Sequence, residues 1–207
     1  MSRENERLDV VSPATGEILE SRDRADVHRE GLWHQVFHCL VLRPARRSVV
    51  LQRRAYTKAA FPGLLDLSAT GHLESGEIPL DGLREFEEEL GVSVSPDALV
   101  SLGTRLLADD NGEGRNRERV HVFFVLDDRP LAEYAPPEHE VADLVEIVVE
   151  DLIAILGDPE LVVEAGSMAE GAVSISNRDL VEGADGYWTV LAVMAQRALA
   201  GETLLAI

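Results

Sequence analysis

Cysteine is almost missing from this chain: Cys39 stands alone, so no disulfide can form within it. A reducing cytoplasm is the expected compartment. Cys39 lies in the apolar run Phe37-His38-Cys39-Leu40-Val41-Leu42 and reads as a small buried hydrophobe, not a nucleophile. Positive charge is scarce too. Nineteen Lys and Arg stand against 38 Asp and Glu, a net −19 at pH 7, which argues against affinity for nucleic-acid backbones. A phosphate-bearing small molecule is not excluded, because a bound metal reverses the local sign. No charge-free apolar stretch is long enough to span a bilayer, and the opening residues carry no apolar core of signal-peptide length. Internal repeats and low-complexity tracts are absent. What remains is 207 residues with 45% apolar content, enough for a core and suited to one domain with additions.

The most informative stretch is Gly71 to Val92, which ends in Arg84-Glu85-Phe86-Glu87-Glu88-Glu89-Leu90-Gly91-Val92. On a helix Glu85, Glu88 and Glu89 sit at i, i+3 and i+4, so their carboxylates converge on one side. Leu83, Phe86 and Leu90 fall roughly opposite and give the helix a face to bury. Clustered carboxylates repel unless positive charge sits among them; Arg84 supplies some and a hard divalent cation supplies more. The stripe reads as a metal platform, with a solvated acidic face as the bland alternative. Pro79 suits a first helical turn and Gly91 suits a left-handed cap.

With its flanks this segment resembles the Nudix box, G-x5-E-x7-R-E-U-x-E-E-x-G-U, where U is bulky and apolar. Gly71, Glu77, Arg84, Glu85, Phe86, Glu88, Glu89, Gly91 and Val92 match by type. One departure stands out: Ile78 to Leu83 make six residues where the pattern has seven. The helical stripe survives this, whereas Glu77 shifts relative to it, and Gly82 is expected to add slack.

Elsewhere, Leu8 to Leu19 reads as a hairpin turning at Ser12 to Gly16, followed by a charged connection. Strands are expected at Gln35 to Leu42, Ser48 to Gln52, Leu65 to Thr70, Leu99 to Leu107, Val120 to Leu126 and Asp143 to Val149. The polar segment from Asp109 to Glu118 reads as an exposed loop. Helices are expected from about Pro79 to Leu90, from near Glu150, and from Gly186 to Ala200, the last as a docking helix or homodimer contact. Gly157 to Asn177 is weakly patterned. The order suggests a mixed sheet flanked by helices, in agreement with the α/β/α sandwich that the resemblance implies. The core would cover 31–157, with an N-terminal hairpin over 8–30 and a C-terminal helical extension over 158–207.

Further residues resemble the Nudix branch closest to isopentenyl-diphosphate isomerase: His28 to His34, Leu51-Gln52-Arg53-Arg54, Phe61-Pro62-Gly63 and Asp66 to His72. His28, His34 and His72 resemble that enzyme's three metal histidines, with five residues between the first two here in place of six. The isomerase would need a cysteine at Thr70 and a Glu-x-Glu pair where Arg117-Glu118-Arg119 stands. Both demands fail. The resemblance then implies hydrolysis of a diphosphate linked to another group X, in a nucleoside diphosphate derivative or similar metabolite, using Mg²⁺ with Mn²⁺ as substitute. It implies metal binding by Glu85, Glu88 and Glu89, with the Gly71 carbonyl as an extra ligand. Arg84 would hold the carboxylates, and Glu77 would act through water or orient Arg84. Arg53, Arg54, Lys58 and His72 are candidates for substrate contacts. The general base stays open among a box glutamate, Glu113, Glu118, Glu138 and Glu140, and Trp33, Tyr56 and Phe61 are candidates for stacking on X. The alternatives are an isomerase-like enzyme and a catalytically silent ligand-binding module.

Overall fold

The computed structural model of the chain describes residues 6–111, 114–182 and 186–207. Strands β1 (Arg7–Val11) and β2 (Ile18–Asp23) form the expected N-terminal hairpin. The charged connection after it is a helix, α1 (Arg24–Glu30), which buries Val27 and ends at Gly31 in the left-handed conformation, φ 66. Strand β3 (His34–Arg43) is followed by a 3₁₀ turn at Pro44–Arg46 and by β4 (Ser48–Arg54). Two short strands, β5 (Leu65–Asp66) and β6 (Ala69–His72), replace the single one expected. A 3₁₀ turn at Pro79–Gly82 then leads into α2 (Leu83–Leu90), closed by Gly91 at φ 68 as its sequence position suggested.

The segment from Asp109 to Glu118 is not the expected loop. Strands β7 (Leu99–Asn111) and β8 (Gly114–Leu126) cover its described residues in antiparallel register, with Ala108 opposite Arg117 and Asp109 opposite Asn116, and the register shifts only farther back, between Ser101 and Gly103. Ladder hydrogen bonds satisfy the backbone of this hairpin, so polar side chains suffice where neither face meets the core. Next come β9 (Val141–Val148) and α3 (Val149–Gly157). The weakly patterned tail holds a second unforeseen hairpin, β10 (Val162–Ser167) and β11 (Gly171–Ser176), before α4 (Tyr187–Leu199). Buried Asp143 ties that hairpin down, accepting from Ser167 Oγ at 2.6 Å and Ala169 N at 3.0 Å.

Among the described residues all eleven strands join one mixed sheet, with a main path β11-β10-β9-β4-β3-β1-β2. Period-2 alternation along β3 divides the core. Phe37, Cys39 and Val41 face α2, where Phe86 and Leu90 are fully buried. Leu40 and Leu42 face the other way, toward Leu152 and Ile155 of α3 and Leu191 and Ala195 of α4. Burying one Phe or Leu stabilises by about 1.5–3 kcal/mol, so these two layers hold the sheet between helices. The apolar side of α4, expected to dock or dimerise, is buried against this chain's own core.

Strand β3 has divided neighbours. It pairs with β6 through Val36 to Cys39 and with β4 through Val41 to Arg43. Buried Ser68 spans the parting: its hydroxyl accepts from Val41 N at 2.7 Å and donates to the Val50 carbonyl. The parting is where the site forms.

Candidate functional site

A cleft of about 1630 Å³ opens over one sheet face, and cross-strand register builds its floor. Arg105, Val120, Val36 and His72 align across β7, β8, β3 and β6. Leu107, Glu118 and His34 form the row on one side, and Val122, His38 and Thr70 the row on the other. Residues directly opposite each other in a ladder share a face, so these side chains meet although their chain positions are scattered.

Glu85, Glu88 and Glu89 all line this cleft, as does Gly71. Glu89 is buried and reaches between β4 and β6, where its Oε2 accepts from Gln52 Nε2 at 2.7 Å and Thr70 N at 2.9 Å. Burial pushes its carboxyl up to about 7 against those two donors, with Glu85 and Asp66 adding to the rise. Burial also raises Glu85, opposed by Arg84 and reinforced by Glu88. Glu85 lies directly over Gly71: a Cβ there would stand 2.1 Å from Glu85 Cδ, so only glycine admits this carboxylate. Glu88 is the exposed member.

Arg84 sits among the acids. Its Nη1 is 2.8 Å from Glu85 Oε1 and 3.2 Å from Glu88 Oε1, and its Nε donates to Glu77 Oε1 at 3.1 Å. Glu77 is thus hydrogen-bonded to Arg84, the contact that the second of its two expected roles requires. The one-residue contraction is taken up by the 3₁₀ turn. Four residues rising ~2.0 Å each cover the ~7.5 Å of five α-helical ones. Gly82 does not act as slack. It is buried, and a Cβ on it would fall 2.5 Å from Phe37, so glycine lets the turn press onto β3. The loop ahead of Glu77 is pinned by buried Asp9, which accepts from Ser75 Oγ at 2.7 Å and Gly76 N at 2.9 Å.

The four candidate substrate residues separate. Arg54 and Lys58 line the cleft, paired with Asp66 at 3.0 Å and with Glu140. Arg53, one residue off in the alternation of β4, is not among the lining residues and donates to the Gly63 carbonyl at 2.9 Å. His72 joins His28 and His34, with ring centroids 4.9–5.1 Å apart and their potential ligand atoms all within 4.8 Å of one another. Among the described residues only this trio gathers so tightly; the three glutamates are wider apart, with Arg84 between two of them and Glu89 turned inward. His34 Nδ1 lies 2.9 Å from the Leu32 carbonyl, an acceptor, so Nδ1 carries the proton and the Nε2 lone pair is free. His34 Nε2 and His28 Nε2 are buried without a hydrogen-bond partner. Burial, then the neighbouring His72, holds His34 down to about 3 and His28 to about 4, so both rings are neutral as metal ligation requires.

Of the candidate bases, Glu118 and Glu140 line the cleft, Glu138 is exposed outside it, and Glu113 lies outside the described residues. Phe61 lines the cleft, while Trp33 and Tyr56 are not among its lining residues. Gln52 and Asp66 stood in the sequence only within stretches that carry the resemblance, with no role given, and Arg105 and Tyr187 were not candidates. Gln52, a polar residue in an apolar strand, carried a signal; Tyr187 carried none, since its place depends on how α4 docks.

A model of the NUDIX domain matches residues 32–163. A Nudix hydrolase of Clostridium acetobutylicum is 31% identical over 155 residues, covering 74% of this chain and 75% of the relative. An isopentenyl-diphosphate Delta-isomerase of Kocuria rhizophila is 32% identical over 149 residues, covering 71% of this chain and 78% of the relative. A solved protein of Deinococcus radiodurans shares the fold, with a TM-score of 0.55 at 24% identity, covering 73% of this chain and 89% of that one.

Proposed function

The chain belongs to the NUDIX domain family, and on that premise we propose that it is a Mg²⁺-dependent pyrophosphohydrolase cleaving the diphosphate linkage of a small metabolite. A nucleoside diphosphate derivative is the first class to test. The observation that supports this most directly is the acid cluster on α2: two glutamates held by one guanidinium, a third buried between strands, all facing one cleft.

The donor set fits a hard dication. Burial raises both Glu85 and Glu89, and the charge of Glu88 adds to the first as those of Glu85 and Asp66 add to the second, which is the electrostatic state a cation relieves. Glu85, Glu88, Glu89 and the Gly71 carbonyl would hold it, and bound there it supplies positive charge against the phosphoryl oxygens. Arg84 keeps Glu85 and Glu88 aimed at the cleft by charge-assisted hydrogen bonds, and Glu77 keeps Arg84 in place. Arg54 and Lys58 exchange Asp66 and Glu140 for substrate phosphate.

The histidine trio supports a second cation site, since three imidazoles suit a transition-metal dication more than Mg²⁺. It also favours a second reading, isomerisation of isopentenyl diphosphate to its allylic isomer, as does the Kocuria relative. Against that reading stand Thr70, whose hydroxyl is far less acidic than a thiol, and a lone Glu118 beside Asn116. One panel separates the two: diphosphates including isopentenyl diphosphate, incubated with Mg²⁺, for wild type and Glu88→Gln. Hydrolysis by wild type, lost in the variant, is the expected result. Allylic product without release of phosphate, or equal turnover by both proteins, overturns it.

A further inference from the structure

Most cations lining the cleft are already matched by acids. Arg24 faces Glu6, Arg29 faces Asp26 and Glu30, and Arg54, Lys58 and Arg84 have the partners described above. Arg105 differs. Among the described residues no carboxylate lies within ion-pair distance of it; its guanidinium carbon sits instead 3.9 Å above the centre of the Tyr187 ring. Tyr187 is the first residue of α4, and its hydroxyl is 3.0 Å from His38 Nδ1. Burial, then Arg105 and His72, holds His38 down to about 3, so His38 is neutral; the opposite charge that Arg105 feels is Glu118 in the adjacent row, which makes no ion pair with it.

Stacking fixes the plane of a guanidinium and leaves the donors along its edge free for a planar or tetrahedral anion. Position gives this receptor a purpose. Arg105 shares its cross-strand row with His72, three strand steps away, so ~14 Å separates its backbone from the residue beside Gly71. A ligand with its diphosphate at α2 would reach Arg105 with its other end.

We infer that Arg105, held flat by Tyr187, determines specificity by receiving a phosphate monoester carried on X, remote from the diphosphate that is cleaved. The inference rests on the pyrophosphohydrolase reading and narrows it: substrates are diphosphates whose X group bears a further phosphate. The α4 extension, through Tyr187, thereby contributes to recognition as well as to the core.

Two matched pairs test it, each differing by one phosphate monoester: coenzyme A with dephospho-coenzyme A, and ADP-ribose 2′-phosphate with ADP-ribose. Wild type should favour the phosphorylated member of at least one pair by about 10–100-fold in kcat/KM, carried by KM, the span expected for hydrogen bonds to a charged group. Arg105→Gln should erase that preference, leave the other member within about twofold, and keep the wild-type melting temperature. Arg105→Lys should restore part of it. Equal preference within both pairs for wild type, or equal losses on both members in Arg105→Gln, overturns the inference. Calorimetric titration of the same pairs in Ca²⁺ keeps the two proposals apart. Preferential binding without turnover of any diphosphate would sink the hydrolase reading alone, whereas turnover without preference would sink the Arg105 subsite alone.

Discussion

Replacing Gly71 by alanine is expected to damage activity far more than stability. The new Cβ would stand 2.1 Å from Glu85 Cδ and 2.4 Å from its Cγ and Oε2. Carbon atoms rest at about 3.5–4.0 Å, so the carboxylate must retreat by roughly 1.5 Å. Glu85 is the free end of a flexible side chain, and swinging it off its rotamer costs about 0.5–1.5 kcal/mol. Its ion pair with Arg84, partly exposed, contributes about 0.5 kcal/mol more, while release from burial returns some of that loss. The expected cost is thus about 1 kcal/mol. A ligand displaced by over 1 Å, by contrast, lowers turnover by about 100-fold. Urea unfolding of wild type, Gly71→Ala, Glu85→Ala and the double variant isolates the contact, because the alanine clashes only while Glu85 is present. In the Glu85→Ala background the stability cost should vanish. An undiminished cost there, or full turnover by Gly71→Ala, would refute the reasoning.

Arg84→Gln removes the tie shared by Glu77, Glu85 and Glu88 and should weaken Mg²⁺ affinity or turnover by about 10–100-fold; Mg²⁺ titration of kcat/KM checks this. Ser68→Ala leaves Val41 N and the Val50 carbonyl unpartnered inside the sheet and should cost about 1–3 kcal/mol in a guanidinium melt without changing KM. His38 has a folded pKa of about 3, below its unfolded value near 6.5, so the native state binds fewer protons between them. Its contribution is fully present above pH 6.5 and disappears as pH falls toward 3, on the order of 5 kcal/mol. In His38→Gln the stability curve between pH 6.5 and 4 should be flatter than in wild type, as read by melts across that range.

The acid platform was legible because it is a local object. The 3.6-residue period puts Glu85, Glu88 and Glu89 on one stripe and Phe86 and Leu90 on another whatever the rest of the chain does. Apolar alternation exposed β3, β4 and β9 for the same reason. The polar strands ran against that signal: β7 and β8 continue through Asp109 and Asn116 because each supplies the other's hydrogen bonds, and β10 and β11 hold to the sheet through Asp143. Helix α1 hid in a charged run with one buried residue, Val27.

Sequence alone therefore determined the family, the box helix with its carboxylates and its closing glycine, and the apolar core strands. Only the tertiary structure decided that Arg54 faces the cleft while Arg53 holds a loop, that Glu77 accepts a hydrogen bond from Arg84, and that His28, His34 and His72 meet. It also brought Tyr187 beneath Arg105, across 82 positions of chain. The physical reason is range. Helical and strand periods are set by neighbouring residues, whereas the register between β3, β6 and β8, and the docking of α4, follow from burial of the whole core.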